Sequence, residues 1–336
     1  MRRACAALCL ALLTFGCSPV PGSPSTGSSA VDDRTAPPTS AHPTPAAPRP
    51  TAPATPRPTA TKPTAAPNPT MDARAALRDI VHLASDIGPR EATSRNFLEA
   101  ADFVQARFER LGYDVRRTKV PVPAGNSWGT PVRRGTSLNV IAEPEGFDPK
   151  EPHVVIGAHL DTVPVAPGAE DNASGIAVML QLAAMTSQQP AALPVQFIAF
   201  GAEEPRGSGD AMHHFGSRQH VADLSRSERR AVQAMVSLDR VGVRASYVPV
   251  CTATDRGDKL HDAIRTAARR GDITTRSCTN YTSDHWSYAK AGVPAVRVGS
   301  IPYAGYHSRG DVPRVVDRRQ LDRVGRTVWA WLQSLN

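Results

Sequence analysis

The sequence predicts an α/β domain, a central sheet of roughly eight strands with helices on its faces. Three observations carry that prediction. Apolar runs of strand length alternate with stretches of helical, amphipathic spacing; no internal repeat is visible; and residues 71–336 suit one large core better than two small ones.

In chain order, Met1-Arg2-Arg3, an apolar segment from Ala4 to Phe15 and Gly16-Cys17-Ser18-Pro19 read as an export signal over residues 1–17, too short to span a bilayer. A small residue before Cys17, with a tether after it, resembles the bacterial lipoprotein signal. That resemblance implies lipidation of Cys17 and membrane attachment at the cell envelope; plain secretion is the alternative. Residues 18–70 hold 15 of the 31 prolines and almost no large apolar side chains, so they cannot bury enough surface to offset their ordering entropy. They read as a linker. The net charge of +8 divides with it: residues 1–70 carry six basic and two acidic side chains, which leaves +4 on the rest. No cluster of Lys and Arg with interleaved aromatics appears, so a nucleic-acid partner is not expected.

Within residues 71–336, helices are expected over 72–84 and 98–111, the second closed by Gly112. Strands follow at 113–122, 138–142, 153–158, 195–200, 234–238, 247–251, 273–276 and 294–298. The remaining helices fit 173–185, 225–231, 259–270, 284–291 and 318–335. Three of the five cysteines precede residue 18, which leaves Cys251 and Cys278. In an exported chain two such cysteines suggest one disulfide, with two buried thiols as the alternative.

Polar residues able to hold a metal recur just after the apolar strands. His159-Leu160-Asp161 follows Val154–Ala158, Glu203-Glu204 follows Val195–Phe200, Asp239 follows Met235–Leu238, and His307 lies beyond Val296–Val298. Asp171 sits in a turn, Gly168–Gly175, that leads into a helix. In open α/β sheets the ligand crevice lies at the carboxyl ends of the strands, so residues far apart in sequence can converge there. Taken singly, a His-x-Asp pair is a solvated strand end and a Glu-Glu pair is surface. Their joint occurrence in this order makes the signal specific.

Over essentially all of residues 71–336 the chain resembles the secreted two-zinc aminopeptidases, the family that also contains glutamate carboxypeptidase and glutaminyl cyclase. The resemblance rests on Ile87-Gly88-Pro89-Arg90, Asp171-Asn172-Ala173-Ser174-Gly175, Gly201-Ala202-Glu203-Glu204, Ser283-Asp284-His285 and Tyr306-His307-Ser308. It implies a single-domain three-layer sandwich around a mixed sheet, two Zn²⁺ per chain, peptide substrates and a monomer. It assigns His159 and Asp239 to one zinc, Glu204 and His307 to the other, and Asp171 as the bridge. Asp161 is then the carboxylate that fixes the ring of His159. Glu203 is the general base and Tyr306 a donor to the oxyanion. The residue types agree: two His and three carboxylates make an N/O set suited to Zn²⁺, with Co²⁺ or Mn²⁺ also acceptable.

Arg240 stands after Asp239 where the family usually carries an apolar residue, as a cation that faces outward or sits at the rim of the site. The related carboxypeptidases with an inserted second domain share His159-Leu160-Asp161-Thr162-Val163-Pro164, but only 34 residues separate Glu204 from Asp239, too few for that insertion. The sequence also leaves open a carboxypeptidase or dipeptidase without that insertion, a single-zinc glutaminyl cyclase and an inactive surface binding module on the same fold.

Overall fold

The computed structural model describes residues 68–253 and 258–335. The expected signal (1–17), nearly all of the linker (18–70) and Cys17 lie outside these residues. All the described residues belong to one unit, Thr64–Asn336.

The strands are β1 (Asp114–Val122), β2 (Gly125–Ser127), β3 (Thr130–Val132), β4 (Gly135–Glu143), β5 (His153–His159), β6 (Val195–Phe200), β7 (Val232–Leu238), β8 (Val248–Thr252), β9 (Thr275–Thr279) and β10 (Ala295–Val298). Eight of them form one sheet in the order β1-β4-β6-β5-β7-β10-β8-β9. Its centre, β6-β5-β7-β10, is parallel throughout, whereas β1, β4 and β8 join by antiparallel pairing. The sheet is therefore mixed, and the four parallel strands bring their carboxyl ends to one edge. Those strands are buried on both faces, which is why they read as continuous apolar runs.

The helices are α1 (Ala73–Val81), α2 (Arg95–Arg110), α3 (Ser174–Gln188), α4 (Phe215–Asp223), α5 (Arg226–Ala231), α6 (Lys259–Arg270), α7 (His285–Lys290) and α8 (Arg318–Leu332). Alternate strand residues serve two cores. Val154 and Ile156 face the larger one, which holds Ile80, Phe108, Ile176, Ile264 and Val328 from α1, α2, α3, α6 and α8. Val155 and Met235 face the other, which holds Val221 of α4 and Tyr288 of α7. The result is the expected three-layer sandwich.

Side-chain caps explain most helix starts: Asp72, Ser94, Asp258 and Asp317 each accept a hydrogen bond from the first turn, and Ser225 with Glu228 makes a capping box before α5. Ser94 starts α2 three residues earlier than the apolar spacing suggests. Two elements were not anticipated. Helix α4 follows His214, which has left-handed backbone and no capping side chain, so no start signal precedes it. Hairpin β2–β3 has strands of three residues, and its turn, Trp128-Gly129, has positive φ at both positions, the geometry of tight hairpin turns. Cys251 and Cys278, paired across β8 and β9, form the expected disulfide with Cα atoms 4.3 Å apart.

Candidate metal centre

All five expected ligands meet at the carboxyl edge of the parallel strands. His159 is the last residue of β5, Asp239 follows β7, Glu203 and Glu204 lie just past β6, and His307 lies on the loop between β10 and α8. Asp171 enters from the turn before α3. That turn is held from three sides. Arg90, fully buried, donates to the carbonyls of Leu83, Gly88, Leu160, Pro167 and Gly168 at 2.7–3.1 Å. Asp311 accepts the N–H groups of Glu170 (2.8 Å) and Asp171 (3.0 Å). Asn172 bonds Leu238 O and Gly175 N–H, and a Cβ at Gly175 would lie 2.3 Å from Leu238 O, so only glycine fits.

The ligand atoms form two groups that share Asp171: His159 with Asp171 and Asp239, and His307 with Asp171 and Glu204. Asp171 turns one carboxylate oxygen to each histidine, Oδ1 to His159 Nε2 and Oδ2 to His307 Nε2, both at 3.1 Å. His159 Nε2 is 3.8 Å from Asp239 Oδ1, and His307 Nε2 is 3.2 Å from Glu204 Oε2. Asp239 Oδ1 and Glu204 Oε1 are buried without a hydrogen-bond partner among the described residues. Buried carboxylate oxygens left unpaired are costly unless something ligates them. With an N/O donor set of this kind, the residues fit divalent zinc.

Asp161 does something other than expected. Its carboxylate lies 3.8 Å from His159 Nδ1, too far for a hydrogen bond; the ring is held instead by the Asp161 backbone carbonyl at 3.1 Å. The carboxylate accepts the N–H groups of Glu203 (3.0 Å) and Glu204 (3.1 Å). Asp161 therefore fixes His159 through its main chain and the Glu-Glu pair through its side chain. Past the end of β5 the chain brings the Asp161 side chain to the start of the Glu-Glu loop instead of to the ring.

Glu203 is buried beside the ligands without belonging to either group. Burial pushes its carboxyl up to about 8, and Asp239, Asp161 and Asp171 add to the rise against His159. His214 Nε2 lies 3.3 Å from Glu203 Oε1, and burial lowers His214 to about 4, so it faces Glu203 as neutral imidazole. Tyr306 is 38% exposed, and its ring stacks on His307 at 3.7 Å. None of the described residues hydrogen-bonds its hydroxyl. Trp128, at the tip of the β2–β3 hairpin, meets His307 edge-on from another side at 4.4 Å.

Arg297, on β10, was not singled out from the sequence. Its side chain is 1% exposed and its Nη2 lies 3.1 Å from Asp239 Oδ2. The signal was present as a charge inside the apolar run Val296-Arg297-Val298, since arginine is rarely buried unless paired. Arg240, which departs from the family pattern, lines the cleft of about 180 Å³ together with the ligands. Backbone geometry also marks the site: of the seven non-glycine residues with positive φ among those described, Trp128, His214, Arg240 and His307 line the cleft, Ala202 precedes Glu203 and Ser300 bonds Arg240.

An α/β sheet that gathers histidines and carboxylates at the carboxyl ends of its parallel strands, with a buried spare glutamate beside them, places the chain among the metallohydrolases. Residues 139–332, more than half of the chain, match the model of Peptidase family M28. The chain belongs to that family. It is 32% identical over 206 residues to aminopeptidase YwaD of Bacillus subtilis, covering 58% of this chain and 44% of YwaD, so it spans less than half of that relative. Among solved structures, a zinc aminopeptidase from Bacillus subtilis superposes with a TM-score of 0.68 at 20% identity, over 79% of this chain and 94% of that one. A glutaminyl cyclase from Porphyromonas gingivalis reaches 0.67 at 22%, over 78% and 98%. Such similarity carries the fold and does not separate the two activities.

Proposed function

We propose that the protein is a dinuclear-zinc aminopeptidase that releases N-terminal amino acids from peptides. The observation that carries this reading is the sharing of Asp171 between two complete ligand groups, each with its own histidine and second carboxylate. His159, Asp171 and Asp239 would hold one zinc, and Asp171, Glu204 and His307 the other. When bound, the pair lowers the pKa of a shared water and polarises the scissile carbonyl.

The chain's own residues supply the rest. Glu203 is placed to take a proton from the attacking water and return it to the leaving amine, and a base poised near neutrality suits that task. His214 Nε2 lies beside the Glu203 carboxylate, and the Asp161 carboxylate fixes the Glu203 main chain. The Tyr306 hydroxyl is available to donate to the oxyanion of the tetrahedral species. Export through residues 1–17, with lipid attachment at Cys17, is part of the same proposal; it rests on the signal-like sequence, and mass spectrometry of the mature N-terminus tests it.

The deciding experiment pairs a panel of aminoacyl-nitroanilides with N-blocked peptides and counts zinc. Release from unblocked substrates with two zincs per chain is expected. Cleavage of blocked substrates alone would overturn the aminopeptidase reading, and one zinc with cyclising activity on N-terminal glutamine would support the cyclase instead. Glu203→Gln should keep its zinc and lose about 10²- to 10⁴-fold in kcat.

A further inference from the structure

We infer that Arg240 makes this cleft a receptor for a carboxylate on the substrate, supplied by an acidic N-terminal side chain or by the free C-terminus of a dipeptide. The inference rests on the peptidase reading and deepens it.

Arg240 is pinned where it stands. Its N–H donates to Asn172 Oδ1 at 3.2 Å and its carbonyl accepts the N–H of Ser300 at 2.8 Å, which fixes a left-handed backbone (φ 55°) immediately after a metal ligand. Nη2 donates to Ser300 Oγ at 2.8 Å, and the guanidinium lies 4.3 Å over the ring of Tyr306. The side chain is only 13% exposed and lines the same cleft as His159, Glu203 and His307.

Asp239 and Asp171 act on its charge from a distance, but its hydrogen-bonding capacity is largely unused. The nearest carboxylate, Asp239, is 3.9 Å from Nε, beyond hydrogen-bond reach, and that carboxylate already has Arg297 at 3.1 Å. Of the five N–H donors on a guanidinium, one has a partner within hydrogen-bond distance among the described residues. A largely desolvated cation with idle donors, held over a tyrosine ring beside the chemistry, is complementary to a planar carboxylate, which a guanidinium fork binds in bidentate fashion.

The test reads ratios. For the zinc-loaded full chain, kcat/KM is measured on glutamyl- against leucyl-nitroanilide, and on leucyl-leucine against its C-terminal amide. A preference for the charged member of one pair identifies which source supplies the carboxylate. In Arg240→Met that ratio should fall about 10- to 100-fold, with Arg240→Lys between, since lysine keeps the charge without the fork. An unchanged ratio in Arg240→Met overturns the inference and leaves Arg240 a support for Tyr306. Calorimetry on the unsubstituted protein covers a variant that fails to fold. Glutaminamide has no carboxylate and isoglutamine only that of the side chain, while leucyl-D-leucinamide and leucyl-D-leucine differ only in the C-terminal carboxylate. Binding of the acid at least tenfold tighter than its amide in one of the two pairs is expected, and equal binding within both pairs overturns the inference. Because this arm needs no turnover, failure of the peptidase reading, seen as no release from any unblocked substrate, remains distinguishable.

Discussion

The two halves of the metal centre share Asp171 and differ in almost everything else. His159 and Asp239 stand at the ends of adjacent central strands, 1% and 3% exposed; the ring of His159 is held by a backbone carbonyl, and Asp239 is paired with Arg297. Glu204 and His307 come from loops. His307 has left-handed backbone, its Nδ1 has no hydrogen-bond partner, and it is held mainly between the rings of Tyr306 and Trp128. One half is fixed by the sheet and a buried ion pair; the other is fixed by turns and aromatic contacts at the mouth of the cleft. The half that comes from loops is thus the one with less hydrogen-bonded support behind its histidine.

The largest effect is expected where the halves meet. On the proposed two-zinc reading, Asp171→Ala removes a ligand from both halves, so elemental analysis should find neither zinc retained and turnover at background. A variant that kept one full equivalent would show that the halves do not depend on a common bridge. Arg297→Met comes next and is aimed at the strand half alone. In the metal-free protein it removes the cation that lies 3.1 Å from the buried Asp239 carboxylate, which costs about 3–5 kcal/mol. For a domain of this size the thermal midpoint should fall by roughly 10 °C. Loss of a group that supports a ligand should also weaken the strand-half zinc by about 10- to 100-fold. Equal weakening of both zincs would break the asymmetry.

Arg297 also shows where the sequence was legible and where it was not. The parallel strands, buried on both faces, announce themselves as apolar runs, and the ligands at their ends follow from the rule that α/β sheets bind at carboxyl edges. The pairing of Arg297 with Asp239 depends on β10 lying beside β7, although 56 residues intervene between strand ends Leu238 and Ala295. No local pattern encodes that adjacency. Asp161 was placed at the right site with the wrong contact, because a residue two positions from a histidine can reach it by main chain or by side chain, and only the turn after β5 decides. Hairpin β2–β3 escaped for a different reason: its strands are too short for alternation to register, so Trp128 had no context that tied it to His307.

Protons sharpen the comparison next. In the metal-free centre, burial would lower His307, but Glu204 and Asp171 outweigh it and raise the ring to about 10; burial pushes Glu204 up to about 8. The folded centre therefore binds more protons than the unfolded chain between about pH 4.5 and 10, and stability falls as pH rises through that window. Zinc ligates only the deprotonated forms, so its affinity rises with pH as those protons leave. Chelated protein should melt lower at pH 9 than at pH 6, and zinc should raise the midpoint more at pH 9. Midpoints that do not move with pH in the chelated protein would show that the ligands are already proton-free.

The smallest effect on the centre is expected from the disulfide, although it lies behind the better-supported half. Cys251 sits on β8 opposite Arg297 of β10, and the bridge ties β8 to the edge strand β9. Closing a loop of 27 residues restricts the unfolded chain by about 3.5 kcal/mol in the chain-entropy model. That stabilisation belongs mostly to the unfolded state, whereas the position of Arg297 is set by pairing of β10 with β7 and β8 on both sides. Replacing both cysteines with serine should therefore lower the thermal midpoint by about 10 °C while zinc content and kcat/KM change by less than about twofold. A tenfold loss of strand-half zinc in that variant would mean that the sheet alone does not hold Arg297 against Asp239, and that the rigidity of this half is borrowed from the bridge.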